Sequence, residues 1–276
     1  MFKDILAYLP PDNRAQAIID CAVSLAHRFG AHLDAVAAVE APVNRDIPVG
    51  ATSAALELVL QYEAGMKQCA QALRRFETAA KAAGVSCATR AVCDTPDPVD
   101  LKLLQASRLY DLAIVIRPER SQAKLDHALC EAVLFDSGRP MLIVPGMHRG
   151  ALDLDHISIC WNGGRQAARA VHDALPLLRQ ARTIDIIAVN EDDVSGATCS
   201  EALASHLHRH QLSAHVRRLR SASSDVSSTI LLAVADAGSH VLVMGCDGYA
   251  RYKEFRLGEV THGIIDMTTI PAFVAN

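Results

Sequence analysis

Apolar residues along the chain fall into two kinds of stretch, short unbroken runs and longer segments at helical spacing. Residues 5–9 (ILAYL) form an unbroken run that stops at Pro10-Pro11-Asp12. Between Arg14 and Phe29 the apolar positions Ala17, Ile18, Cys21, Ala22 and Leu25 recur with helical period, and Gly30 ends the segment. A second strand is expected over 33–39. The same succession returns at 157–161 (ISICW), which stops at Asn162-Gly163-Gly164, with a helix expected over 165–178 and a strand over 183–189. Arg14 and Arg165 lie 151 positions apart, and Val39 and Val189 lie 150 apart. A repeat of that length means two copies of one domain rather than a solenoid of short units.

The remainder of each copy matches in kind. A long helical stretch at 53–83 corresponds to a shorter one at 197–211, and strands are expected at 86–92 and 214–220. The latter partly alternates, so it is expected near a sheet edge. Helices follow at 98–109 and 226–237, then short apolar strands at 112–116 and 241–244. Each copy ends with a helix and a strand that follows a proline, Pro140 (MLIVP) and Pro271 (AFVAN). Strands and helices that alternate in this way, with strands apolar throughout, imply an α/β fold. Two tandem doubly wound domains are expected, each with a five-stranded parallel sheet, at 1–146 and 155–276 with a linker between. In the long helix, Leu56, Val59, Leu60, Leu73 and Phe76 share one side, which reads as a face that covers the sheet, with a partner surface as the less favoured alternative.

Composition narrows the functional classes. The chain has 276 residues, 50% hydrophobic and 4% aromatic, with a formal charge of −4. Such apolar content excludes disorder as the main state. The charge balance and scarce aromatics argue against a general nucleic-acid or anionic-membrane binder. Apolar runs such as 229–235 fall short of the ~20 residues that a membrane span needs. The first residues are broken by Asp4 and two prolines and do not read as a signal peptide. A soluble, cytoplasmic protein is therefore expected. The eight cysteines form no C-x-x-C pair and read as small buried hydrophobes, with Cys246 singled out by its place in a loop.

In an open parallel sheet a ligand binds beyond the carboxyl ends of the strands, where the strand order reverses. The loops after the first and fourth strands of each copy are thus the candidates. In the second copy they carry Asn162-Gly163-Gly164 and Gly245-Cys246-Asp247-Gly248, with Gly258-Glu259-Val260-Thr261 nine residues further on. Glycine permits close backbone approach, and a helix that starts there offers free N–H groups to phosphate. Arg251, Lys253 and Arg256 add cations, while Asp247 and Glu254 are candidate Mg²⁺ ligands beside a phosphate. The first copy lacks this loop: Arg117-Pro118-Glu119-Arg120-Ser121 follows its fourth strand, and no glycine appears before Gly138.

The spacing G-x-x-G, nine residues, then G, followed by a helix and a proline-led strand, resembles the nucleotide-binding loop of the universal stress protein family. The segments VLVMGCDGYARYKEFRLGEVTHGIIDMTTIPAFV, ISICWNGGRQAARAVHDALPLL and SGRPMLIVP carry the likeness, which covers essentially the whole chain as two tandem domains of adenine nucleotide alpha-hydrolase-like fold. The resemblance implies an adenine nucleotide held at Gly245, Asp247, Gly248, Arg251, Gly258, Glu259, Val260 and Thr261. It also implies contacts at Asn162 and Gly163 after the first strand and at Val189 and Asn190 after the second, and last strands that pair the copies into a pseudo-dimer. This sequence departs from the family pattern twice. Glu259 stands where the family has Ser or Thr, and Asn162 where its ATP-binding branch has Asp. Both departures favour adenosine or AMP over ATP.

The expected function is a stress-response regulatory protein that binds an adenine nucleotide or nucleoside, with Mg²⁺ as a possible companion and a protein partner or homodimer left open. The alternatives are a scaffolding protein of the same fold that binds no nucleotide and, less favoured, a slow ATPase. No catalytic residue and no native metal site is assigned. His206 and His210 share a helix face as zinc ligands would, but no third ligand accompanies them at a suitable spacing. Ser224 or Asp225 reads as a helix N-cap, and Arg217-Arg218-Leu219-Arg220 as a solvated strand edge.

Overall fold

The structure is a computed structural model that describes residues 1–40, 52–94, 107–118, 124–191, 197–222, 225–246, 248–251 and 254–276. The first half contains β1 (Asp4–Leu9), α1 (Ala15–Phe29), β2 (His32–Glu40), α2 (Thr52–Ala82), β3 (Cys87–Asp94), β4 (Leu112–Ile116), α3 (Lys124–Asp136) and β5 (Met141–Val144). In the second half β6 (His156–Cys160), α4 (Arg165–Leu178), β7 (Thr183–Val189), α5 (Ser200–Arg209), β8 (His215–Leu219), α6 (Val226–Ala237) and β9 (Val241–Gly245) follow. The chain closes with β10 (Gly248–Arg251), β11 (Glu254–Leu257), α7 (Glu259–Met267) and β12 (Ala272–Ala275). The helix expected at 98–109 falls largely outside the described residues.

Ten strands form one sheet in the order β3-β2-β1-β4-β5-β12-β9-β6-β7-β8. Within each half of this sheet every pairing is parallel, and each half repeats the order third, second, first, fourth, fifth strand. The halves meet where β5 and β12 run antiparallel, with Phe273 opposite Leu142. The last strands thus fuse two five-stranded sheets into one, and β8, whose sequence alternates, lies at an edge.

Strand residues alternate between two cores, as a period of two requires. Ile5, Ala7 and Leu9 join α1, α2, α4 and α5 on one face, while Leu6 and Tyr8 join α3, α6 and α7 on the other. With both faces covered, β4 and β5 are buried at every position. Helix α1 presents Ala17, Ile18, Cys21, Ala22 and Leu25 to its core, and Gly30 ends it in the left-handed conformation at φ 59°. The linker is pinned rather than slack: the Gly150 and Leu152 N–H groups donate to Asp20 and Ser24 of α1 at 3.0 and 2.9 Å.

Two expectations need correction. The apolar stripe of α2 does not cover the sheet along its whole length: Leu73 and Phe76 are buried, but Leu56, Val59 and Leu60 are 60, 48 and 56% exposed. A helix of 31 residues extends roughly 46 Å, well beyond the nine-residue strand β2 on which it packs, so its first turns overhang. The second correction concerns the stretch after β9, expected as a plain glycine-rich loop. It contains an antiparallel hairpin, β10–β11, in which Gly248 pairs with Leu257 and Arg251 with Glu254.

Candidate functional site

Strands β6 and β9 are neighbours, and their connections leave in opposite directions toward β7 and β12. That divergence opens a cleft of about 140 Å³ at their carboxyl ends. Its walls include Trp161 and Asn162 after β6, Gln166 and Ala167 in the first turn of α4, Val189 at the end of β7, and Val260 and Thr261 in the first turn of α7. None of the described lining residues is charged. A void of this size holds a single ring system, and a larger ligand must extend over the rim.

The predicted glycines turn out to serve different ends. A Cβ on Gly245 would sit 2.3 Å from the Ala167 nitrogen and 2.4 Å from the Gln166 carbonyl carbon. Glycine at 245, which lines the cleft, therefore lets α4 start directly on top of β9. Gly163 adopts φ 70° with Thr198 beside it, a left-handed turn that glycine suits. Gly248 and Gly258 are brought together because Leu257, paired with Gly248, precedes Gly258. Gly258 is the N-cap of α7 and supplies no side-chain cap, so the first N–H groups of that helix have no intrahelical acceptor.

Side chains divide in the same way. Asn162 is exposed at the mouth of the cleft, and its Oδ1 accepts a hydrogen bond from the Gly164 N–H at 2.9 Å. Asn190 does not line the cleft. It sits at φ 57°, and its amide is clamped to Ser221, with Nδ2 donating to the carbonyl at 2.8 Å and Oδ1 accepting from the N–H at 2.9 Å. Thr261 lines the cleft and is 4% exposed. Glu259 is the first residue of α7 and is exposed; it is not among the residues that line the cleft. Asp247 lies outside the described residues, as do the side chains of Arg251 and Glu254.

Sequence reasoning missed Trp161, Gln166, Ala167 and the apolar floor of Cys160, Met244, Val226 and Ile230. Gln166 and Ala167 were recoverable from the helix start that follows the first strand; Val226 and Ile230 come from a helix distant in sequence. The Trp161 indole N–H donates to the Thr198 carbonyl at 2.8 Å, which fixes that wall. Burial pushes the Cys160 thiol up to about 12, so it stays protonated at neutral pH.

The corresponding position of the first half is closed. Only about 30 Å³ remains between the ends of β1 and β4, lined in part by Pro10, Pro11 and Asp126. Arg14, 8% exposed, reaches Asp12 at 2.8 Å and Asp126 at 2.9 Å. Burial pushes the Asp126 carboxyl up in spite of that cation. Among the described residues, the equivalent wall in the second half carries no such pair.

The other residues that stand out in the sequence make local contacts. His206 and His210 stack edge to face with centroids 4.7 Å apart, and no cluster able to hold a metal occurs among the described residues. Asp225 occupies the N-cap of α6 without a side-chain cap bond. Arg218 pairs with Glu191 at 2.9 Å and also with Glu201, while Arg217 donates to the Ala233 carbonyl at 3.2 Å. Cys246 is fully buried, with its N–H bonded to the Ala275 carbonyl at 2.8 Å. No described helix is long and apolar enough to cross a membrane.

This ten-stranded arrangement, two doubly wound halves fused through their last strands, has counterparts among solved structures. A universal stress protein from Archaeoglobus fulgidus DSM 4304 superposes with a TM-score of 0.72 at 16% identity, covering 98% of each chain. The chain has the fold of a tandem universal stress protein. A putative universal stress protein from Pseudomonas aeruginosa UCBPP-PA14 is also similar, with a TM-score of 0.55 at 16% identity over 99% of this chain and 93% of that one. The universal stress protein fold is shared more widely. The cytoplasmic domain of a prokaryotic cation chloride cotransporter reaches a TM-score of 0.55 at 9% identity over 99% and 95% of the two chains. No family model matches the sequence, and no curated protein matches it.

Proposed function

We propose that the protein is a stress-response regulatory module that binds an adenine nucleotide or nucleoside in the cleft of its second half. The observation that carries this reading is the cleft of about 140 Å³ beyond the carboxyl ends of β6 and β9, walled by the first turns of α4 and α7, with Thr261 among its lining residues. Helix N-termini attract electron-rich groups, and a base-sized void beside them suits a heterocycle with a sugar at the rim. Binding stabilises the folded chain by mass action and shifts its affinity for a protein partner. The described lining offers no carboxylate or imidazole as a base, so hydrolysis is not part of the proposal. Mg²⁺ enters only as a companion of phosphate.

A second reading, scaffolding without a ligand, is favoured for the first half, where the Arg14–Asp126 pair closes the equivalent position. Thermal shift and calorimetric titration of the full chain with adenosine, AMP and ATP, each with and without Mg²⁺, separate the two. Saturable binding lost in Thr261→Val supports the ligand reading. No binding at millimolar concentration leaves scaffolding for both halves.

A further inference from the structure

Three chemistry-bearing residues meet at the amino ends of β2 and β3, in the other half from the cleft. His32 opens β2, and Asp34, two positions on, shares its face of the strand. Ser86 immediately precedes β3, whose Cys87 pairs with Leu33, so Ser86 lies across from His32. The His32 ring bridges the other two: Nδ1 is 2.9 Å from Ser86 Oγ, and Nε2 is 2.9 Å from Asp34 Oδ1. Asp34 is held in turn by Tyr110, whose hydroxyl donates to Oδ2. Burial, and then that carboxylate, pushes the Tyr110 phenol up to about 12, so it remains a donor at neutral pH. An ionised carboxylate only accepts, so the ring proton sits on Nε2 and Nδ1 accepts from the Ser86 hydroxyl.

We propose that Ser86 is a nucleophile toward small esters, with His32 as its general base and Asp34 and Tyr110 as positioning residues. A nucleophile within hydrogen-bond reach of a base, itself oriented by a third group, is the arrangement that covalent acyl transfer needs. Ser86 is exposed and the His32 side chain is 39% exposed, so a substrate reaches both. The main chain supplies a donor for the developing oxyanion. The Ser86 carbonyl accepts from the Leu33 N–H at 2.9 Å and so points at β2. Across a trans peptide the Cys87 N–H points the opposite way, to the edge where β3 has no further neighbour among the described residues. A recess of about 40 Å³ lined by Asp34, Ala88 and Tyr110 adjoins the three side chains, room for an acetyl methyl and little more. In the first step Ser86 Oγ bonds to the ester carbonyl carbon and its proton passes to His32 Nδ1. The bond from that carbon to the alcohol oxygen then breaks as His32 returns the proton to the leaving alcohol. Water attacks the acyl-serine, gives a proton to His32 Nδ1, and the acid departs as Ser86 Oγ regains it.

A fluorophosphonate probe and 4-nitrophenyl acetate test this on the full chain. With the probe, a phosphorus–oxygen bond to Ser86 replaces the phosphorus–fluorine bond, and fluoride leaves. Peptide mass spectrometry should place the adduct on Ser86, and its formation should be about 100-fold slower in His32→Gln. Ser86→Ala should lose both the adduct and the release of nitrophenolate. Asp34→Asn should slow labelling about tenfold and Asp34→Glu should restore part of the rate; a carboxylate with a merely structural role would lower the unfolding midpoint and leave the labelling rate of the folded protein unchanged. Labelling should also slow from roughly pH 8 to pH 5, as protonation takes the base away, and His32→Gln should lose that dependence. Urea midpoints verify that each variant is folded. An adduct on Cys87 instead, no adduct on Ser86, or equally fast labelling in His32→Gln overturns the proposal.

Discussion

Replacing Gly245 by alanine tests whether the wall of the cleft is set by a helix lying directly on a strand. The added Cβ would lie 2.3 Å from the Ala167 nitrogen and 2.8 Å from its Cα, whereas ordinary contact begins near 3.4 Å. The first turn of α4 must therefore retreat by about 1 Å. Both obstructing atoms belong to the main chain, so no side-chain rotation relieves the clash. Overpacking of a tight core costs about 1–3 kcal/mol when side chains can adjust, and a backbone obstruction belongs at or above the upper end, about 3 kcal/mol. Gly30→Ala is the control. There φ is 59° and the space around a Cβ is empty, so the only penalty is the left-handed conformation, about 1–2 kcal/mol. Urea unfolding followed by circular dichroism, with equal slopes in the three proteins, measures both costs. A Gly245→Ala variant less costly than Gly30→Ala would refute the packing argument.

Three further outcomes are expected. Arg14→Met should destabilise by about 3–5 kcal/mol because it strands Asp126, 7% exposed, without a cation; Arg14→Met with Asp126→Leu should recover most of that loss, measured by urea unfolding as a double-mutant cycle. Glu191 accepts hydrogen bonds from the Ser200 N–H and hydroxyl, both at 2.6 Å, and from Arg218 at 2.9 Å. Burial opposes its ionisation, but these donors outweigh it and hold the carboxyl below its usual range. Stability from Glu191 is therefore present above about pH 4.5 and lost as pH falls through the lower folded value, so Glu191→Gln should flatten the acid limb of thermal melts taken between pH 3 and 6. Cys160, whose thiol is held at about 12, should resist iodoacetamide at pH 8 in the folded protein and react once unfolded, as read by peptide mass spectrometry.

The hairpin β10–β11 shows why the candidate loop was only half legible. Gly248 and Gly258 stand out as glycines, but their proximity depends on pairing between Gly248 and Leu257, a contact that the intervening sequence does not announce. Asn190 follows the second strand, as a ligand contact would, yet its amide spans to Ser221, 31 positions away. Thr261 stands out by its place after Gly258; that it is buried on the cleft wall depends on how α7 packs against α6. The overhang of α2 was likewise hidden, because an amphipathic stripe marks a face but not how far the sheet beneath it extends.

Local periodicity alone determined the repeat, the alternation of strands and helices, and the burial of β4 and β5, because each depends on residues within a few positions of one another. The reversal of strand order at β6 and β9 followed from the same pattern through a general rule of handed crossovers. The tertiary structure decided what each residue at that reversal does. Whether a glycine admits a helix or a ligand, whether an amide is spent on a neighbouring strand, and whether an arginine fills the site all depend on atoms that come together from distant parts of the chain. Sequence spacing carries little information about contacts of that kind, since closing the intervening loop leaves its length and course almost free.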